Sequence, residues 1–336
     1  MKEAMLYEKL KDNKVRCKLC GHHCLIKEGK RGICRVRENT DGKLYSLVYG
    51  KVVAKHNDPI EKKPLYHFYP RSFSFSICTV GCNFKCLFCQ NADISQVPKD
   101  QEKVLGWPAT PEEIVNEATQ QRAASISYTY TEPTIFFEFA YDTAKLAVEK
   151  GLKNIFVSNG FMSKEAIETI RPYLHAANID LKSFRDKYYK EICGGKLKPV
   201  LDTITNMVKM GIWVEVTTLL IPTLNDSEEE LGDIAQWIYE LSPDIPWHIS
   251  RFYPTYRLTD VPPTPISSIH KAREIGLKTG LRYVYSGNVP GDEGENTYCP
   301  KCTTLLIERY GYHIPQYNIK EGHCPNCGTK ISGVGL

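Results

Sequence analysis

The sequence predicts an α/β fold built on a parallel sheet and flanked by two small cysteine-rich segments. Three observations predict it. Between about residues 70 and 290, short β-rich runs alternate with helical patterns, as βα units require. Twelve of the 13 cysteines fall in three groups of four with Cys-x2-Cys or Cys-x3-Cys spacing, leaving Cys193 apart. Two of these groups lie outside the alternating region, in stretches too short for a substantial core.

In chain order, residues 1–70 carry Cys17, Cys20, Cys24 and Cys34 within a basic stretch. Strands are predicted at 73–77, 123–129, 154–160, 176–182, 213–221 and 247–252, with a seventh at 282–286. Helical patterns lie at 111–122, 134–150, 163–173, 199–210 and 227–241. The first has Thr110 as its cap, Pro111 in its first turn and Glu113 three residues after the cap, the elements of a capping box. Six or so strands with right-handed crossovers give either an open doubly wound sheet or a partial barrel. Residues 291–336 carry Cys299, Cys302, Cys324 and Cys327. The chain therefore divides into an N-terminal four-cysteine metal-binding segment (1–70), a central α/β unit (71–290) and a C-terminal four-cysteine domain (291–336), and both ends are expected to need a metal to hold them.

The 336 residues carry 43 basic and 39 acidic side chains, 43 − 39 = +4, a balance too mild to argue for nucleic acid. The opening MKEAMLYEKLKDNK lacks an apolar signal region, and no apolar run of about 18 residues could span a bilayer, so a soluble cytoplasmic protein with no membrane partner is expected. In that setting the cysteine spacings suit metal ligands better than disulfides.

The central group lies in CTVGCNFKCLFCQN, residues 78–91, just after the first predicted strand. The run does not fit the bacterial ferredoxin spacing. Cys82, Cys86 and Cys89 give Cys-x3-Cys-x2-Cys, with Phe84, Leu87 and Phe88 available to shield a cluster; Cys78 reads as a buried small hydrophobe. A structural zinc knuckle is the bland alternative.

CNFKCLFC resembles the signature of the radical S-adenosylmethionine (SAM) enzymes. The resemblance implies a [4Fe-4S] cluster on three thiolates, with SAM on the fourth iron and a 5′-deoxyadenosyl radical as the product of its reductive cleavage. YTYTEPT resembles the family's Gly-Gly-Glu-Pro segment and places Glu132 on the SAM amino group, with Tyr130 and Thr131 where the glycines would be. VSNG offers Ser158 and Asn159. IDLK resembles the Asp-Leu-Lys of pyruvate formate-lyase activating enzymes and carries Asp180 and Lys182 onto SAM contacts, and TLLIPTLND gives Ile221 a backbone contact to adenine, with Asn225 and Asp226 as turn and cap. In WHISRFYP, His248 and Arg251 are candidates for SAM or substrate contacts, core hydrogen bonding being the other reading. Together with CxLCxHxC near the start, these motifs resemble the AmmeMemoRadiSam-system radical SAM proteins over nearly the whole chain. The implied fold is a partial (β/α)6 TIM-like barrel, and the implied partner is a low-potential electron donor.

Cys299-Pro-Lys-Cys302 and Cys324-Pro-Asn-Cys327 form a four-thiolate site of zinc-ribbon or rubredoxin-like type, for zinc or rubredoxin-type iron, with zinc favoured because ribbons are the commoner structural use. At Cys17, Cys20, Cys24 and Cys34 zinc and an auxiliary Fe-S cluster are both open, and His22 and His23 add possible ligands. The nearby Lys27, Lys30, Arg31, Arg35 and Arg37 read as a solvated basic face, or else a docking patch for an acidic donor. Cys193 reads as buried, with a substrate-handling role as the alternative. Hydrogen abstraction from a substrate outside the glycyl-radical enzymes is favoured over glycyl-radical activation of a protein partner. RNA modification and non-catalytic electron carriage are the rivals from other classes.

Overall fold

A computed structural model describes residues 1–336. Seven parallel strands lie side by side in chain order: Phe73–Cys78, Ser125–Tyr128, Lys153–Ser158, Ala176–Asp180, Trp213–Leu220, Trp247–Arg251 and Val284–Gly287. A doubly wound sheet reverses its strand order at a switch point. This sheet has no reversal, so the doubly wound alternative falls. An eighth strand, Ala54–Pro59, pairs antiparallel with Phe73–Cys78 at the sheet edge. Its sequence, AKHNDP, has neither alternation nor β-branched residues, and a proline is tolerated there because an edge strand has a free side.

Between the strands run helices Pro111–Gln120, Phe137–Glu149, Lys164–Ile170, Leu197–Lys209 and Glu228–Leu241, each near its predicted place. The capping box of Thr110 and Glu113 is formed, and Ser163 and Ser227 cap their helices by accepting from the backbone N–H three residues on. A further helix, Ile266–Thr279, was not among the sequence patterns.

Alternation along the strands gives the sheet two unlike faces. One is apolar: Ile126, Tyr128, Phe156, Ile179, Val216, Trp247 and Ile249 join helix residues such as Ala144, Ile167, Ile204 and Ile234 in a core of 65 buried residues. The other is polar. There Ser74 meets Ser127 at 2.5 Å, Thr217 donates to Asn178 at 2.9 Å and His248 meets Glu215 at 2.7 Å.

The N-terminal segment, expected to be too short for a substantial core, shares that of the main sheet. Val15, Leu19, Ile26, Val36, Leu44 and Val48 are part of the main core. Arg37 and Glu138, 2% and 1% exposed, form a 2.7 Å ion pair between this segment and helix Phe137–Glu149. The C-terminal strands Thr297–Tyr298, Leu305–Tyr310 and His313–Tyr317 form a separate antiparallel sheet over a small cluster shared with Tyr66, Tyr283 and Tyr285.

A buried polar network joins this tail to the polar face of the main sheet. Glu215 is fully buried, and it accepts from the backbone N–H groups of Tyr66 and His67, from Trp213 Nε1 and from His248 Nε2. Four donors are what a buried carboxylate needs to offset lost hydration. His67 Nδ1 donates to the Ser332 carbonyl at 2.6 Å, so its Nε2 is free to accept from the Tyr285 hydroxyl at 2.5 Å. The Arg309 guanidinium lies 4.1 Å from the Tyr66 ring centre and donates to Thr297 Oγ1 and to the Tyr66 carbonyl. No helix of the protein is long and apolar enough to cross a membrane.

Candidate active site

The loop that follows Phe73–Cys78 is fixed before any ligand is considered. Lys85 N–H donates to the Cys193 carbonyl at 2.8 Å, Leu87 N–H to Ile192 at 3.1 Å and Arg257 N–H to the Leu87 carbonyl at 2.9 Å. Gln96 Nε2 and Lys99 Nζ both reach the Phe84 carbonyl. The clamp comes from a π-helical turn, Tyr189–Cys193, and the two glycines after it. A Cβ on Gly195 would lie 2.2 Å from Phe84 Cε1, so only glycine lets the two segments close.

Within this loop Cys86 is buried and Cys82 and Cys89 are half-buried. Cys82 Sγ accepts from Phe84 N–H at 3.3 Å and from Asn159 Nδ2 at 3.6 Å, and Cys89 Sγ lies 3.1 Å from Ser95 Oγ. Cys193, remote in sequence, has its thiol beside Cys86. Burial pushes the Cys82 and Cys89 thiols up, so the thiolate form needs a cation among them. No three of these sulfurs lie within the mutual 4.8 Å that the C-terminal set satisfies. Wider spacing suits a cluster, whose thiolates sit on different irons, and Phe84, Phe88 and Cys86 belong to one buried apolar cluster against which Cys82 and Cys89 pack. The donor set, the N–H and O–H groups on sulfur and the dry walls all fit an iron-sulfur cluster.

Glu132 stands at the end of the second parallel strand, 2% exposed. Its Oε1 accepts from Thr134 N–H at 3.0 Å and Ser158 Oγ at 2.8 Å, and its Oε2 from Asn159 N–H at 2.8 Å. Burial pushes its carboxyl up, and these donors partly offset the rise. Tyr130, standing where the related motif has glycine, takes the left-handed conformation at φ +62°. It is held there by Asn91 Nδ2 on its carbonyl at 2.7 Å, by Asp58 on its hydroxyl and by Lys63 Nζ 4.6 Å from its ring centre. The structure thus brings Glu132, Ser158, Asn159 and Cys82 into one connected set.

A second set forms at the next strand end. Lys182 Nζ lies 2.8 Å from Asp180 Oδ2 and 5.7 Å from the Phe88 ring centre. Burial opposes its charge, yet Asp180, Cys86 and Cys193 beside it hold the ammonium protonated well above the usual lysine range. Asn225 accepts from Ile221 N–H at 2.7 Å and donates to the carbonyls of Lys182 and Leu219, so Ile221 has its N–H engaged within the chain. His248 and Arg251 stand apart from both sets. His248 is level with Thr217 and Asp180 across the ladder, but its ring is turned onto Glu215. Arg251 Nε donates to the Thr264 carbonyl and its Nη1 to the Tyr253 hydroxyl. Asn83, Ser95 and the position of Cys193 against Cys86 were missed in the sequence, where only the location of Asn83 inside the cysteine run hinted at them.

The two terminal groups differ. Cys299 and Cys327 sulfurs lie 3.6 Å apart, as do those of Cys302 and Cys324, and all four lie within 4.8 Å of one another. Four thiolates on one tetrahedral ion with bonds of about 2.3 Å stand about 3.8 Å apart, so this set fits a single ion. Cys17, Cys20, Cys24 and Cys34 instead surround an enclosed pocket that also touches Arg37, Asn83 and Ile135.

Comparison with known proteins bears on the same region. A family model described as the radical SAM superfamily matches residues 76–238. The chain is 51% identical over 337 residues to an uncharacterized protein of Methanocaldococcus jannaschii, covering 99% of this chain and 100% of that one. It is 24% identical over 164 residues to the pyruvate formate-lyase-activating enzyme of Clostridium pasteurianum, covering 47% of this chain and 66% of the relative. Streptococcus suis SuiB bound to S-adenosylmethionine aligns with a TM-score of 0.51 at 14% identity, covering 68% of this chain and 53% of that one, a likeness of fold.

Proposed function

The chain belongs to the radical SAM superfamily, and from that premise we propose that it cleaves S-adenosylmethionine reductively and uses the resulting radical to abstract hydrogen from a substrate. Cys82, Cys86 and Cys89 are the three protein ligands of a [4Fe-4S] cluster. When bound, that cluster supplies one electron to the cofactor's sulfonium and so breaks a C–S bond.

The remaining tasks fall to the chain. Glu132 takes the amino group of the cofactor, its oxygens already oriented by Thr134, Ser158 and Asn159. Asn159 ties that carboxylate to the Cys82 sulfur, so the amino-group pocket and a cluster ligand are held as one piece. Asp180 and Lys182, paired with each other, would contact the cofactor, and Ile221, positioned by Asn225, would support its adenine. With His248 committed to Glu215 and Arg251 to Thr264 and Tyr253, neither is assigned to the cofactor. Phe84 and Phe88 exclude water from the thiolates. The strands curl into a partial barrel around the polar face, and the C-terminal set holds a structural zinc.

Coverage bears on the substrate. The relative named as a pyruvate formate-lyase-activating enzyme matches 47% of this chain, whereas the uncharacterized relative matches 99%. About half of this chain thus lies outside the part shared with that activating enzyme, and the added architecture favours a different substrate. The observation that carries the proposal is the connected set of Cys82, Asn159, Glu132 and Ser158 at the strand ends. It is tested by anaerobic incubation with S-adenosylmethionine and dithionite: the protein should release 5′-deoxyadenosine and methionine. Cys82→Ala should lose both products while keeping its circular dichroism. Cleavage that survives in Cys82→Ala would sink the ligand assignment.

A further inference from the structure

The three cysteine sets of this chain sort into two kinds by geometry. The C-terminal sulfurs have closed to within 4.8 Å of one another, the spacing of ligands on one ion. No three of the sulfurs of Cys17, Cys20, Cys24 and Cys34 reach that spacing, and in this they match the central set. We infer that the N-terminal four-cysteine pocket holds a second iron-sulfur cluster, placed to pass electrons to the first.

The walls of the pocket point the same way. Leu19, Ile26 and Ile135 make it apolar, and Arg37 is the one permanently charged side chain that lines it. Arg37 is 2% exposed. Its Nη2 is used by Glu138 and the Met5 carbonyl, but its Nε and Nη1 are buried with no partner at all. Two buried donor nitrogens left without acceptors are costly. An anionic cluster offers acceptors in its bridging sulfides as well as its thiolates, and so answers both donors.

Position supplies the role. Asn83, which also lines the pocket, directly follows Cys82. Its carbonyl meets His22 Nε2 at 2.9 Å, and its Oδ1 accepts from Asn159 Nδ2 at 2.7 Å, the group that also touches Cys82 Sγ. The backbone is stitched across the same seam, with Gly21 N–H on the Phe161 carbonyl and Ser163 N–H on Leu19. Asn83 is therefore common to both sites. One electron from a low-potential one-electron donor protein reduces the N-terminal cluster and then moves on to the central one; no proton or atom moves in that transfer.

The inference rests on the proposed function only for the electron's destination, and the test separates the two. Acid-labile sulfide is measured on the anaerobically reconstituted full chain and on the Cys82→Ala/Cys86→Ala/Cys89→Ala triple variant, with electron paramagnetic resonance of both after reduction. Sulfide is blind to zinc or iron at the C-terminal site, which carries none. The expected counts are about eight per wild-type chain and about four in the variant, two and one [4Fe-4S] units, with a variant signal that ignores S-adenosylmethionine. About four in the wild type, lost entirely in the variant, overturns the inference and leaves the proposed function standing. About four retained in the variant, with no cleavage of S-adenosylmethionine by the wild type, supports the inference and sinks the proposed function. The wild-type count alone decides if the variant does not fold: about four, with a signal that shifts fully on adding S-adenosylmethionine, means a single cluster.

Discussion

Asn159 and Cys82, 77 residues apart in sequence, meet through an amide nitrogen 3.6 Å from a sulfur. Hydrogen bonds to a ligating sulfur stabilise its added negative charge and so make the cluster easier to reduce. Asn159→Ala is expected to lower the reduction potential of the central cluster and to cut S-adenosylmethionine cleavage by about 10- to 100-fold, the usual cost of losing a group that supports a metal ligand. Potentiometric titration followed by paramagnetic resonance checks the first effect. An unchanged potential would mean that the contact does not form in the loaded protein.

Glu132→Gln keeps shape and removes charge. A hydrogen bond to a charged group contributes about 1.5–3 kcal/mol, so affinity for S-adenosylmethionine should fall by roughly 10- to 100-fold with the iron content unchanged. Anaerobic isothermal titration of the reconstituted protein measures this. Equal affinities would remove Glu132 from the amino-group site.

The glycine clamp makes a structural prediction with an internal control. Gly195→Ala forces a methyl against Phe84 at 2.2 Å and should cost about 1–3 kcal/mol or more, with loss of iron from the central site. Gly232→Ala, in helix Glu228–Leu241 with nothing within 4 Å of the new methyl, should stabilise by about 0.5–1 kcal/mol. Urea midpoints and iron content of the two variants are the measurements, and equal iron retention would show that Phe84 yields without disturbing the cysteines.

Burial lowers the His67 pKa to about 4, and the ring is bound as the neutral form between Ser332 and Tyr285. An unfolded histidine titrates near 6.5, so below that pH the unfolded chain binds a proton that the folded one refuses. The resulting stability is complete above pH 6.5 and is lost as pH falls toward 4, in total about 3 kcal/mol at most. Urea unfolding at pH 7.5 and 5.5 should show wild type losing more stability than His67→Gln over that interval. Parallel losses would place the acid sensitivity elsewhere.

What was legible in the sequence was local. Hydrophobic alternation between turn signals located the parallel strands, and Thr110 with Glu113 located a helix start, because both depend on neighbours in the chain. The edge strand Ala54–Pro59 was invisible, since its partner Phe73–Cys78 and not its own residues makes it a strand. His248 showed a polar strand position but not its occupant, which is Glu215 on the adjacent strand. Cysteine spacing announced three sites and could not size them. Sulfur separations are set by folding, and they distinguish Cys299 with Cys327 from Cys17 with its neighbours only once the walls are in place.

The network around His67 has a consequence for how the molecule is made. His67 is bonded to residues 148, 218 and 265 positions further along the chain. The longest of these contacts cannot form until residue 332 has left the ribosome, so this side of the polar face closes late. The stretch from Arg309 to Ser332 acts as a latch: a chain cut before it lacks Ser332 against His67 and Arg309 against Tyr66.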